Sequence, residues 1–132
     1  EPFKVNNLST GLKAISLLQC ILHYRVFKEK SVLILDEPEI NLHPEWQVAY
    51  AKYIVLLQKK LNLHVVITTH SPFFLKAIEN ASYEYDISEK CHYYYTDNVD
   101  GDAMISCVDN NMEKIYSKMM MPLIDMMNDM GL

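Results

Sequence analysis

Two adjacent carboxylates and one imidazole follow short apolar runs, and these residue types suit phosphate chemistry. Asp36 and Glu37 come directly after the run 32–35, and His70 follows a second run at 65–68. If both runs are parallel strands, their carboxyl ends meet at one edge of a sheet, where open α/β folds bind ligands. A hydrated Mg²⁺ ion is held by one or two carboxylates together with phosphates, and an imidazole N–H can donate to a phosphate oxygen. The pattern therefore predicts a magnesium and phosphate site.

Each of these residues also has an ordinary structural interpretation. Asp36 and Glu37 would then form a solvated acidic turn after a strand, and His70 would be a helix-capping or surface residue. Asp-Glu after a short apolar run occurs by chance, so the acidic pair alone does not decide between the two. The second run favours the functional interpretation, because it brings a third polar group to the same edge.

A strand–helix–strand unit is predicted to position these residues. The run Val32–Leu35 is too short for a helix and apolar on both faces, which indicates a buried parallel strand, as does the run 65–68. Strands joined in this way form a βαβ unit with a right-handed crossover. Between them a helical stripe recurs at steps of three and four residues: Trp46, Tyr50, Tyr53, Ile54, Leu57 and Leu61.

Further elements are predicted on both sides of this unit. Ser9 would cap a helix over about 10–27, and Ser71 with Pro72 would open another. Pro38 and Pro44 are expected in the loop after the first strand. Beyond residue 82, the segments 91–95 and 103–107 flank an Asn/Asp/Gly segment, which predicts a β-hairpin. A methionine-rich helix from about 111, bent or restarted at Pro122, follows it.

Composition limits the classes of protein that fit. The chain has 132 residues, half of them apolar, and a net charge of -5, which is typical of a globular domain and argues against a nucleic-acid surface within these residues. No apolar run approaches the roughly 18–20 residues of a membrane span. Three cysteines outside any CxxC arrangement predict buried thiols in a reducing cytosol. Since residue 1 is not Met, we expect that the natural protein begins elsewhere.

The order of the motifs resembles that of ABC-type ATPase heads. The stretch 32–37 with Asp-Glu-Pro is similar to the Walker B motif of that family, and 65–70 before Ser-Pro is similar to the H-loop. Residues 40–44 fall where the D-loop lies, and 8–12 resemble the LSGGQ signature at the start of a helix. The sequence of these motifs most resembles that of the soluble RecF-like and OLD-like ATPases of the AAA family, including those of anti-phage systems such as Septu.

This resemblance implies an α/β, P-loop NTPase-like fold that uses ATP and Mg²⁺. The 132 residues would be the C-terminal lobe of one ATPase domain, with parallel strands and flanking helices, a β-hairpin and a terminal helix. Asp36 would hold Mg²⁺ through water, Glu37 would be the general base, and His70 would contact the γ-phosphate. Asn41 would contact the dimer partner. The signature residues would bind the nucleotide of the partner subunit: Ser9, Thr10 and Gly11.

Departures from the family pattern limit what this chain is expected to do alone. Thr10 and Leu12 replace Gly and Gln of the signature, and His43 replaces the usual D-loop Asp. No GxxxxGK[ST] loop occurs in these residues, so we expect the fragment to bind ATP weakly or not at all. The intact cytoplasmic protein would form a dimer or a higher oligomer through its heads, and it would gate either an anti-phage effector, such as a nuclease subunit, or a DNA-related activity. It would contact DNA, if at all, through parts outside this chain, and no membrane.

Other interpretations remain. The chain could be a degenerate head that dimerises without hydrolysis, and a magnesium nuclease using Asp36 and Glu37 fits less well because nuclease carboxylates converge from several elements. The segment 93–95, three tyrosines, suits an ordinary strand better than a base-stacking platform. A stripe in the last helix is expected to pack on the lobe, with a partner groove as the alternative: Ile115, Met119, Leu123, Met126, Met127 and Met130.

Overall fold

A computed structural model describes residues 16, 19, 20, 28–109 and 111–129. The chain divides into two compact units, Glu1–Ile87 and Ser88–Leu132. The signature-like segment 8–12 and most of the predicted helix over 10–27 lie outside the described residues; of that helix Ser16, Gln19 and Cys20 are described, and they are helical.

The first unit contains the predicted strand–helix–strand order. It comprises β1 (Val32–Asp36), α1 (Pro44–Leu61), β2 (His64–Thr68) and α2 (Pro72–Glu84). The two strands pair in parallel from Val32 opposite His64 to Asp36 opposite Thr68. The βαβ unit is therefore confirmed, and both strands end at the same edge.

Local signals determine where the helices begin. Pro44 is the first residue of α1, so its predicted place in the loop is wrong; proline suits this position because its fixed φ is helical and its missing N–H would have no partner there. Ser71 caps α2 by accepting a hydrogen bond from the Phe74 N–H at 3.2 Å, as predicted. Short connections therefore join β1 to α1 and β2 to α2, and these connections contain Glu37 and His70.

Helices cover one face of the two-stranded sheet. Leu33 packs into a core with Tyr50 and Ile54 of α1 and Phe74 of α2. The opposite face is open: Val32 is 62% exposed, Ile34 72% and Val66 55%. The prediction that these strands are buried on both faces is therefore wrong for the described part of the chain, because none of its elements packs on that side.

The second unit begins with a short 3₁₀ helix (Ser88–Lys90) and the predicted hairpin. Strand β3 (Tyr94–Val99) pairs antiparallel with β4 (Asp102–Cys107). Asp100 and Gly101 form the two-residue turn with φ values of 52° and 93°. Asp-Gly suits this turn because both central residues need positive φ. The tyrosine run lies largely in a strand, as expected, although β3 begins only at Tyr94.

The last helix, α3 (Met112–Asp129), continues through Pro122, so of the two predicted alternatives, a bend or a restart, the restart is wrong. Ile115 is buried and Met119 is half-buried, whereas Leu123, Met126 and Met127 are exposed, contrary to the expected packing of these residues. Met130, the last residue of the predicted stripe, lies outside the described residues. This 18-residue helix is about 27 Å long, whereas the six-residue strands of the same unit are about 20 Å long. The helix is therefore longer than the strands of its unit.

Two further expectations concern membranes and thiols. None of the helices in the described ranges combines the length and apolar character that crossing a lipid bilayer requires. Cys20 and Cys107 are exposed and Cys91 is partly buried, so the expectation of buried thiols is wrong for the first two. Cysteine burial depends on tertiary packing, which residue type alone does not determine.

Candidate functional site

The carboxyl edge of β1 and β2 brings the acidic pair to one threonine. Asp36 lies opposite Thr68, whose hydroxyl donates a hydrogen bond to Asp36 Oδ1. The backbone N–H of Glu37 donates to the Thr68 carbonyl at 3.1 Å and to its Oγ1 at 3.0 Å. Thr68 therefore holds both residues of the acidic pair, a role that the sequence pattern did not indicate.

Glu37 and His70 meet across this edge. Glu37 Oε1 lies 3.3 Å from His70 Nε2, with side-chain exposures of 33% and 86%. Their strands are neighbours, which is the juxtaposition that the sequence predicted. The pair is thus formed and open to solvent, so a ligand at this edge can reach both groups.

The turn after β1 has an unusual backbone. Glu37 has a φ of 41° and Asn41 a φ of 64°, both in the left-handed region that residues with a Cβ rarely adopt. The Ile40 N–H donates to the Glu37 carbonyl at 3.1 Å, and the Leu42 N–H donates to the Glu39 carbonyl at 3.0 Å. Asn41, the predicted partner contact, is exposed on this turn.

A polar network beneath the turn was missed by sequence reasoning. The Thr69 hydroxyl donates to Glu39 Oε1, and Thr69 Oγ1 accepts from the Ser71 N–H at 3.0 Å. The Ser71 hydroxyl donates to Gln47 Oε1 at 2.6 Å, and Gln47 Nε2 donates to the Leu42 carbonyl at 3.0 Å. In two of these four hydrogen bonds the two bonded residues are 24 or more positions apart in the sequence. A local sequence pattern therefore could not reveal the network.

The donor set at the edge suits a hydrated cation better than a protein-enclosed one. Within the described ranges, no group of three or more His, Cys, Asp or Glu is arranged to hold a metal ion. A cation at Asp36 would therefore need water and ligand oxygens, which is how Mg²⁺ binds beside phosphates. The signature residues Ser9, Thr10 and Gly11 lie outside the described residues, so their place relative to this edge stays a prediction.

A second histidine–carboxylate pair lies in the other unit. His92 Nδ1 is 2.8 Å from Asp109 Oδ2, and the Tyr93 N–H donates to Asp109 Oδ1 at 2.5 Å. The hydrogen bond from His92, followed by that from the Tyr93 N–H, lowers the pKa of Asp109. This pair ties the segment before β3 to the segment after β4, and no sequence pattern predicted it.

Comparison with known proteins supplies the family. A model of the family described as "AAA domain, putative AbiEii toxin, Type IV TA system" matches residues 1–76. Protein ea59 of Escherichia phage lambda is 38% identical over 53 residues, 40% of this chain and 10% of the phage protein.

A solved structure from work on ATP-driven dimerization and DNA-stimulated activation of SMC ATPases is also similar. It matches with a TM-score of 0.61 at 14% identity, over 88% of this chain and 64% of that chain. The chain thus spans a tenth of the phage protein and less than two thirds of the SMC chain. At this identity the likeness shows the fold, which is α/β and P-loop NTPase-like. Since the family model matches more than half of its residues, the chain belongs to this AAA domain family.

Proposed function

We propose that this chain is part of a head that binds and hydrolyses ATP and dimerises around it. The observation that carries the proposal is the 3.3 Å approach of Glu37 to His70, with Asp36 beside them at the ends of two parallel strands. Membership of an AAA family and the SMC-like fold support it. The activity belongs to the intact protein, of which these residues would be the C-terminal part of one ATPase domain.

Each residue at the edge has a role that its geometry permits. Glu37 accepts the proton of an attacking water, and His70, which is largely exposed, donates to the terminal phosphate. Asp36 would hold Mg²⁺ through water, and the ion would supply positive charge that offsets the negative charge of the phosphates. The Thr68 hydroxyl donates to Asp36, and the Thr68 hydroxyl and carbonyl oxygens accept from the Glu37 N–H, so these bonds keep Asp36 and Glu37 at fixed positions.

The proposed ATP site also needs groups that do not lie at the β1–β2 edge. The phosphate-binding loop lies outside these 132 residues, which contain no GxxxxGK[ST]. Ser9, Thr10 and Gly11 contact the nucleotide of a second head, and Asn41 contacts that head directly. The work that reported the similar SMC ATPase structure concerns ATP-driven dimerization, and this supports self-association of the present protein.

A defence role extends this proposal: the ATPase would gate an anti-phage effector, such as a nuclease subunit, or a DNA-related activity in the cytoplasm. The description of the matched family names a putative toxin of a toxin–antitoxin system, and this supports the defence role alone. The SMC work concerns DNA-stimulated activation of its own proteins, and DNA contact by the present protein would involve parts outside this chain.

Substitution of the general base tests the ATPase proposal. In the full-length protein, Glu37→Gln removes the proton acceptor while keeping the side chain's size, so steady-state phosphate release falls by about 100-fold or more while ATP affinity stays within about 3-fold. Glu89→Gln, an exposed residue of the 3₁₀ helix, is the matched control and keeps the wild-type rate. Full turnover by Glu37→Gln would overturn the assignment of the base.

The rival is a head that dimerises without hydrolysis, favoured by the departures from the signature at Thr10 and Leu12. It predicts ATP-dependent association of the wild-type protein with no phosphate release, and Glu37→Gln would then change neither quantity. Measurement of both quantities on the same preparation separates the two proposals.

A further inference from the structure

Glu39 is a buried carboxylate that none of the proposed catalytic steps uses. It is 5% exposed, and its Oε2 has no hydrogen-bond partner among the described residues. Burial of an incompletely paired acidic group is unfavourable, and a residue kept only for packing would serve better if it were apolar. Its presence therefore calls for an explanation beyond stability.

The contacts of Glu39 join the two loops that carry the proposed site. Its Oε1 accepts from the Thr69 hydroxyl, so the turn after β1 is tied to the residue next to His70. A second bridge runs beside it: Ser71 donates to Gln47, and Gln47 donates to the Leu42 carbonyl at the end of the same turn. The two bridges clamp the turn 37–42 to the segment 69–71.

The clamped turn contains the strained residue. Glu37 has a φ of 41°, and a left-handed backbone persists in such residues only where the surrounding contacts hold it. Glu39 lies two residues further along, and its carbonyl accepts the Leu42 N–H that closes the turn. Loss of the Glu39–Thr69 bond would let the turn relax and move the Glu37 carboxylate away from His70.

We infer that Glu39 and Thr69 form a positioning pair that sets the place of the Glu37 carboxylate relative to His70 and to the attacking water. The inference rests on the proposed ATPase function. Neither residue contacts the reacting atoms; both act through the turn. A misplacement of about 1 Å at a reacting group costs up to about 100-fold in rate, so the pair is expected to affect hydrolysis far more than nucleotide binding.

Single-turnover hydrolysis and ATP affinity of the full-length protein test the pair. Glu39→Ala and Thr69→Val each slow hydrolysis about 10- to 100-fold, while the dissociation constant for ATP changes by less than about 3-fold. Glu39→Gln keeps an acceptor and Thr69→Ser keeps the hydroxyl, so both stay within about 3-fold of the wild-type rate. Thr96→Val, at an exposed position of β3, is the matched control for loss of a hydroxyl and leaves the rate unchanged.

The double variant separates positioning from independent structural effects. Because each substitution removes the Glu39–Thr69 bond, Glu39→Ala with Thr69→Val is no slower than the slower single variant. If the loss of rate in the double variant equals the product of the two single losses, the inference is overturned. Wild-type rates in the single variants would overturn it as well. Thermal unfolding confirms that each variant is folded at the assay temperature. If Glu39→Ala does not fold, the Thr69→Val and Thr69→Ser comparison decides alone: equal rates in these two variants contradict the pair.

The two proposals fail in different ways. If the wild-type protein does not hydrolyse ATP, the proposed function is wrong and the positioning role fails with it. If the wild type hydrolyses ATP and Glu37→Gln does not, but Glu39→Ala and Thr69→Val keep the wild-type rate, only the positioning role is wrong.

Discussion

The two histidine–carboxylate pairs in this chain have similar chemistry and different settings. His70 and Glu37 stand 3.3 Å apart on neighbouring parallel strand ends, with the histidine almost fully exposed. His92 and Asp109 are closer, at 2.8 Å, and the other oxygen of Asp109 accepts a backbone N–H. The second carboxylate is thus engaged at both oxygens in closing a hairpin, whereas the first sits on a strained turn at an open edge.

This difference shows which structural features indicate function. Both pairs are long-range in sequence, so spacing alone does not distinguish them. The backbone differs between the pairs: Glu37 has a φ of 41°, a left-handed conformation that lasts only where the surrounding contacts hold it, although the same conformation also occurs in ordinary turns such as that at Asp100. Asp109 lies outside any such strained turn, and its pKa is lowered by ordinary hydrogen bonding, first from His92.

Removal of the two histidines should produce the largest contrast. In the full-length protein, His70→Ala should slow ATP hydrolysis about 100-fold, because a donor to the transferred phosphate is lost. His92→Ala, the matched control from the second unit, should leave the rate within about 2-fold. Phosphate-release assays at saturating ATP measure both, and equal rates in the two variants would show that the edge of β1 and β2 has no special role.

A smaller effect is expected at the hairpin turn. Gly101 has a φ of 93°, so Gly101→Ala places a Cβ on a backbone that disfavours it and should destabilise the chain by about 1 kcal/mol. Apart from Gly101 and its two chain neighbours, no heavy atom of the described residues lies within 4 Å of the added Cβ, so the cost comes from the backbone and not from a clash. Thermal unfolding measures the loss, and unchanged hydrolysis would confirm that the hairpin is not part of the site.

The smallest expected effect is the pH dependence of the Asp109 pair. Because the folded-state pKa of Asp109 is lowered, its contribution to stability is present above the unfolded pKa of about 3.9 and is lost as pH falls through the lower folded value. Asp109→Asn should therefore be less stable than wild type by under about 1 kcal/mol at pH 7, since the pair is exposed. Urea unfolding at several pH values should show this difference shrinking below about pH 4; a constant difference would contradict it.

Much of the first unit could be predicted because its signals are local. The apolar runs gave β1 and β2, Ser71 with Pro72 marked the start of α2, and parallel pairing then placed Glu37 near His70. The hairpin likewise followed from the Asp100–Gly101 turn. In each case a few consecutive residues carry enough information to define the element.

Features that depend on packing at a distance could not be predicted. The open sheet face at Ile34, the bond between Glu39 and Thr69 and the exposed end of α3 at Met126 all depend on which elements lie nearby. An apolar run predicts a strand equally well whether one of its faces is covered or both. Glu39 has no sequence feature that separates it from an ordinary acidic residue in a turn.

The comparison of the two carboxylates tests the central claim most directly. Single-turnover ATP hydrolysis should be measured for Glu37→Gln and Asp109→Asn in the full-length protein, with ATP affinity measured alongside. We predict equal affinities, a Glu37→Gln rate at least about 100-fold below wild type, and an Asp109→Asn rate within about 2-fold of wild type. Equal hydrolysis rates in the two variants would contradict the claim that the β1–β2 edge is half of an ATPase site.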